Sequence, residues 1–159
     1  MGNFGLKVNR FYEIFVEQNG YVMVLEGLKN TLLIAVIGLV IGIAIGTLIA
    51  AIRTIPQYKV LPRVLNGICS VYVGIFRGTP MVVQLLVFYY VMLPLMGVKM
   101  TGVQVSMIVF GLNSAAYISE IMRSGIMSVD SGQMEAGRAV GLSYGTTMMK
   151  IVIPQAVKN

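Results

Sequence analysis

From Thr31 to Ile52 the chain runs for 22 residues without a charged side chain, bounded by Lys29 and Arg53. About 20 apolar residues at a rise of about 1.5 Å each cross the hydrocarbon core of a bilayer, so this stretch predicts a first membrane span. Gly38, Gly42 and Gly46 recur every fourth residue within it. They share one helix face, and such a ridge of small residues lets a second helix approach closely in lipid. The next segment, Arg53 to Arg63, holds Arg53, Lys59 and Arg63 with no acid, together with Pro56 and Pro62. Loops rich in Lys and Arg stay on the cytoplasmic side, which predicts an inner turn and an N-terminus outside.

The pattern then changes length. Val64 to Val98 is apolar for 35 residues with one charge, Arg77. That exceeds one untilted span. It predicts a helix, a break at Arg77-Gly78-Thr79-Pro80, and a second helix through Pro94. Backbone groups freed in a membrane must be buried in protein or line a cavity. An arginine at such depth marks a site or a buried pair. Leu95 to Thr101, with Lys99, predicts an outer turn if 64–94 crosses once overall. Met100 to Ser119 is uncharged for 20 residues and predicts the next span. Asn113, Ser114 and Ser119 within it are able to hydrogen-bond across helices. Glu120 and Arg123, at i and i+3, close it on the inner side; the plain alternative is a surface ion pair of about 0–1 kcal/mol.

The two ends differ from these apolar runs. Residues 1–26 carry Lys7, Arg10, Glu13, Glu17 and Glu26 among Phe4, Phe11, Tyr12, Ile14, Phe15 and Val16. Phe11, Ile14 and Phe15 fall at helical spacing, so the segment is either an amphipathic helix at the bilayer surface or a loosely ordered lead-in. Asp130 to Asn159 predicts two short helices joined at a glycine. Asp130 is placed to N-cap the first, with Gln133 at capping-box spacing. Gly141 suits the left-handed residue after its end. Ser143 is placed to cap the second helix, and Pro154 to stop it. Its basic residues Arg138, Lys150 and Lys158, with Arg123, outweigh Asp130 and Glu135, which places this segment inside.

Composition narrows the class. The chain has 159 residues, 57% apolar and 11% charged, with mean hydropathy +0.82. Soluble domains carry about 25% charged residues, so a polytopic membrane protein is the economical reading. The net charge of +6 is spread singly at the ends of apolar runs rather than clustered, which fits membrane topology and not nucleic acid. A lone cysteine, Cys69, and no histidine allow no intrachain disulfide and no Cys/His metal site. Met1 to Gln18 shows no signal-peptide pattern. There is no Gly-Lys-Ser/Thr phosphate loop and no nucleophile with a base. No catalytic constellation is present, and no cofactor is expected.

Three motifs carry a family resemblance. Glu135-Ala136-Gly137, three residues, Gly141, nine residues, Ile151-Val152-Ile153-Pro154 resembles the EAA loop of ABC importer permeases. It departs from the usual Ala at Gly137 and the usual Leu at Ile153; Gly137 loosens the first helix by up to about 1 kcal/mol relative to Ala. Phe76-Arg77-Gly78-Thr79-Pro80-Met81-Val82-Val83-Gln84 is similar to the F-R-G-T-P-L-x-V-Q segment of the polar amino acid permeases, with Met81 for Leu. Asn113 to Ile126 resembles their N-S-x-A-Y-x-A-E-x-x-R-x-G-I segment. Together these cover residues 22–159 almost continuously.

The resemblance implies an all-α membrane protein: the transmembrane domain of a type I ABC importer over residues 27–159, preceded by a lead-in over 1–26. It would hold about three spans plus cytoplasmic coupling helices. The family continues into further spans where this chain stops at Asn159, so a truncated permease is expected. The implied setting is a multi-pass protein of a bacterial cell membrane. The implied partners are an ATP-binding cassette subunit, a second permease subunit (identical or paralogous), an extracytoplasmic solute-binding protein and the lipid bilayer. Glu135, Ala136, Gly137, Gly141, Ile151 and Pro154 would couple to the ATP-binding subunit. Arg77, Thr79, Gln84, Tyr89, Asn113, Glu120 and Arg123 are polar groups that either line the path or bond between helices. The expected function is a permease subunit of an ATP-driven amino acid importer. A permease for another small solute such as an osmolyte, a homo-oligomeric channel or structural membrane protein, and a secondary transporter are the alternatives. The last needs ion-coupling acids within the spans, and Glu120 alone lies near one.

Overall fold

The computed structural model describes residues 2–158, and among them every regular element is helical. Helix α1 (Gly2–Tyr12) runs on through a wide turn at Glu13–Glu17. Phe11 and Phe15 stack with ring centroids 5.3 Å apart, and Phe15 meets Tyr21 edge-on at 6.4 Å. Asn19 takes a left-handed backbone (φ 55°) and turns the chain into the next helix. The lead-in is therefore a helix, and its face with Phe4, Val8 and Phe11 is exposed.

Helix α2 (Gly20–Thr54) has 35 residues, about 52 Å long, and contains the predicted first span in its second two thirds. Helix α3 (Val60–Gly78) ends at the predicted break. Thr79 and Pro80 are extended, and a second helix, α4 (Met81–Leu95), follows. Helix α5 (Gly102–Met127) is longer than the predicted span. Its start is fixed by a reciprocal cap between Thr101 and Gln104 that the sequence reading did not identify. Helix α6 (Ser131–Ala139) and a bent helix over residues 144–156, α7, complete the chain. Helices α2, α3 and α5 are each long and apolar enough to cross a membrane.

The packing centre is the α2–α5 pair. A Cβ built at Gly42 would lie 2.7 Å from Ser114 Cβ, and one at Gly46 would lie 2.9 Å from both the Ala115 carbonyl and Ile118 Cγ2. The glycine ridge thus lies directly on α5, as its spacing predicts. Ile49, Val73 and Ala116 form a small buried cluster, flanked by Ile45, Cys69, Tyr72 and Phe76. Large apolar side chains on the outer faces remain exposed, among them Leu32, Val36, Leu39, Val40 and Ile43 of α2. A patch of that extent on a soluble protein would be an aggregation site; around helices able to span a membrane it suits apolar surroundings.

One proline departs from expectation and a second behaves as expected. Pro154 does not stop its helix: the helical backbone runs through it to Ala156. Pro94 sits inside α4, as the expected helix through it requires. In both cases the turn before the proline is widened, so that Leu93 N–H reaches Phe88 O and Ile153 N–H reaches Met148 O, each five residues back. A proline ring collides with the carbonyl four residues earlier. The extra residue in the wide turn moves that carbonyl aside, and the helix continues.

Candidate functional site

The polar residues expected in the spans separate into two groups. At the α3–α4 break, Gln84 Nε2 donates to the Phe76 carbonyl (2.9 Å), the Thr79 carbonyl (3.1 Å) and Thr79 Oγ1 (2.9 Å). Asn113 of α5 donates through Nδ2 to the same Phe76 carbonyl and to Gln84 Oε1, both at 3.1 Å. Gln84 and Asn113 are each buried. Thr79 Oγ1 in turn donates to the Ile75 carbonyl at 2.8 Å. Tyr72, one turn earlier, donates its hydroxyl to the Leu112 carbonyl at 2.6 Å. Tyr89 stays outside this network; it is partly exposed and stands edge-on to Tyr90.

The second group gathers at Glu120. Its Oε2 accepts from Arg53 of α2 at 2.6 Å, and its Oε1 accepts from Arg123 Nε at 3.0 Å. Arg77 reaches Oε2 at 3.9 Å, with its guanidinium 5.4 Å from the centre of the Tyr117 ring. The pair Glu120–Arg123 is therefore no isolated surface bridge. The Glu120 and Arg53 side chains are only 19% and 12% exposed, and one carboxylate joins α2, the end of α3 and α5. Three arginines on one carboxylate leave a surplus of positive charge. Arg53 was visible in the sequence only as a topology signal, because nothing in the pattern tied it to a residue 67 positions away.

The helix–glycine–helix module forms as the spacing predicts, with different local contacts. Asp130 caps α6 through Gly132 N (2.6 Å), but Gln133 does not close a capping box. Its side chain instead accepts from Gln155 Nε2 at 3.1 Å, which ties α6 to α7. Gly141 has φ +88°, and the end of α6 is closed by Leu142 N–H to Gly137 O and Gly141 N–H to Arg138 O, both 3.1 Å. That is the paired-bond ending that a left-handed glycine permits. Ser143 caps α7, with Thr146 N–H to Ser143 Oγ at 3.2 Å. Gly137 is buried against fully buried Thr147, and a Cβ there would overlap the threonine side chain. Its departure from alanine thus serves close approach of the two helices.

Tyr144, which the sequence reading passed over, anchors the module. Its hydroxyl donates to the carbonyl of Thr54, the last residue of α2, at 2.8 Å. Helix ends leave such carbonyls without intrahelical partners. Burial pushes the Tyr144 hydroxyl above its ordinary range, so it remains protonated and donating. Ile151 and Pro154 lie on α7, partly buried and exposed respectively, while Glu135, Ala136 and Gly141 are exposed. Among the described residues Glu135 makes no ion pair or side-chain hydrogen bond.

Comparison with known proteins follows this geometry. A family model described as binding-protein-dependent transport system inner membrane component matches residues 42–159. The arginine transport system permease protein of Bacillus subtilis is 39% identical over 136 residues, covering 86% of this chain and 60% of that protein. The L-cystine transport system permease protein of the same organism is 34% identical over 143 residues, covering 90% and 58%. A crystal structure of an amino acid ABC transporter with histidines superposes with a TM-score of 0.74 at 32% identity, over 91% of this chain and 65% of that one. The methionine ABC transporter MetNI, in an inward-facing conformation, gives a TM-score of 0.55 at 25% identity, over 84% and 61%. The chain spans about three fifths of the length of the curated relatives it matches.

Proposed function

The chain belongs to the family of binding-protein-dependent transport system inner membrane components, and from that premise we propose that it is the permease subunit of an ATP-driven amino acid importer. Relatives named for arginine and for cystine support amino acids as the substrate class. The domain is residues 27–159, with 1–26 as its lead-in, in a bacterial cell membrane. The N-terminus lies outside and the 130–159 segment inside. ATP hydrolysis belongs to a separate ATP-binding subunit, a second permease completes the path, and a solute-binding protein delivers substrate from outside.

The observation that carries this reading is the build of the α6–α7 module. It is internally braced by the Gly137–Thr147 contact and the Gln133–Gln155 bond. It joins α5 through the chain and α2 through Tyr144. Its outer surface presents Glu135, Ala136 and the Gly141 corner, all exposed. A rigid knob so tied transmits a push on its surface to two spans at once. Glu135 meets the ATP-binding subunit, Gly141 makes the corner, and Ile151 and Pro154 seat α7. Arg53, Arg77, Glu120 and Arg123 then tie the moving ends together rather than line the path.

Co-purification with the cognate ATP-binding subunit tests this. Glu135→Lys reverses an exposed charge and is expected to weaken association. Gly141→Val disrupts the corner, since a β-branched residue resists positive φ, and is expected to abolish association while membrane insertion persists. Association that survives both substitutions would contradict the coupling role.

A further inference from the structure

Phe76 lies four residues before Pro80. In an α-helix its carbonyl would accept from the amide of residue 80, and proline has none. Pro80 also drives Thr79 into extended backbone (φ −117°, ψ 145°). The carbonyls of Phe76 and Thr79 are therefore both without helical partners within an apolar segment, where unpaired backbone groups are costly. Both receive amide donors from side chains. Gln84 donates to each of them, and Asn113 donates to the Phe76 carbonyl from the neighbouring helix. The two amides also bond to one another at 3.1 Å, which fixes the orientation of Gln84. Each is 7% exposed.

We propose that Gln84 and Asn113 are positioning residues that donate where Pro80 cannot, making the break a fixed elbow rather than a hinge. The elbow holds Arg77, adjacent to Phe76, over Tyr117 and beside Glu120. Helices α3, α4 and α5 then move as one body at this level. The carboxamides serve the backbone and are not available to substrate.

Two double-substitution cycles in the native transporter complex, in lipid nanodiscs, test the assignment through its melting temperature. Pro80→Ala restores an amide at position 80. Asn113→Leu, which cannot donate, is expected to lower the melting temperature by less than half as much in the Pro80→Ala background as in the wild type. Gln84→Met is expected to follow the same pattern. Equal losses in the two backgrounds overturn the donor assignment, as does the absence of any loss. If Asn113→Leu prevents assembly of the wild type, recovery of complex with Pro80→Ala supports the proposal, and failure in both backgrounds overturns it. In the second cycle, Arg77→Gln combined with Asn113→Leu is expected to lose no more than the larger single loss. Additive losses overturn the positioning of Arg77. Neither cycle depends on transport, so each stands apart from the importer reading.

Discussion

At Gly137 a single missing methyl sets the distance between two helices. Helix propensity alone favours alanine there by up to about 1 kcal/mol. The Thr147 side chain occupies the space a Cβ would need. Gly137→Ala is therefore expected to destabilise, by about 1–3 kcal/mol as for other overpacked sites. Adding Thr147→Ala should return part of that loss, which thermal melting of the two variants would show; a stabilising Gly137→Ala would contradict the packing. Glu120 is the opposite kind of residue, one charge satisfying several. Glu120→Gln leaves the largely buried Arg53 and the part-buried Arg123 without their counter-charge. Breaking a fully buried pair costs about 3–5 kcal/mol, an upper bound for this part-buried one, and the expected drop in melting temperature is partly offset by Arg123→Gln in the same chain. The residue identities at this hub were legible, since Arg77, Glu120 and Arg123 each stand out in apolar sequence. Their convergence was not, because a sequence pattern reports a residue's own helix face and not what faces it from elsewhere.

Elements were more legible than contacts. The uncharged run 31–52, the glycine ridge and the break before Pro80 each gave the right element, because each follows from a length, a period or a missing amide within one segment. The proline inside α7 misled for a physical reason, whereas the one inside α4 did not. Whether a proline ends a helix depends on whether the preceding turn widens, and that choice is set by tertiary packing. Tyr144 was missed because the carbonyl it serves belongs to Thr54, far away in sequence. Its bond makes an element-level prediction. Tyr144→Phe should cost about 1 kcal/mol by loss of one part-buried hydrogen bond. The hydroxyl is held above its ordinary pKa by burial. A raised value means the contribution is fully present below the unfolded value of about 10, and is lost as pH rises through the folded value. The stability difference between wild type and Tyr144→Phe should thus stay flat from neutral pH to about pH 10 and change only above it. A difference that changes near neutral pH would exclude this bond as its source.

At the scale of the molecule, the chain is a set of apolar helices packed at one glycine seam, with outer faces suited to lipid and one charged hub. From that assembly a braced helical knob projects, fastened to both α2 and α5. The importer reading rests on this mechanical arrangement together with family membership. The most direct measurement is uptake of radiolabelled amino acids into proteoliposomes holding the native transporter complex, with ATP supplied at the face of the ATP-binding subunit, for wild type and Gly141→Val. Uptake by the wild type is expected to require ATP, and Gly141→Val is expected to show none at equal reconstituted protein. ATP-independent uptake, or undiminished uptake by Gly141→Val, would contradict the importer reading.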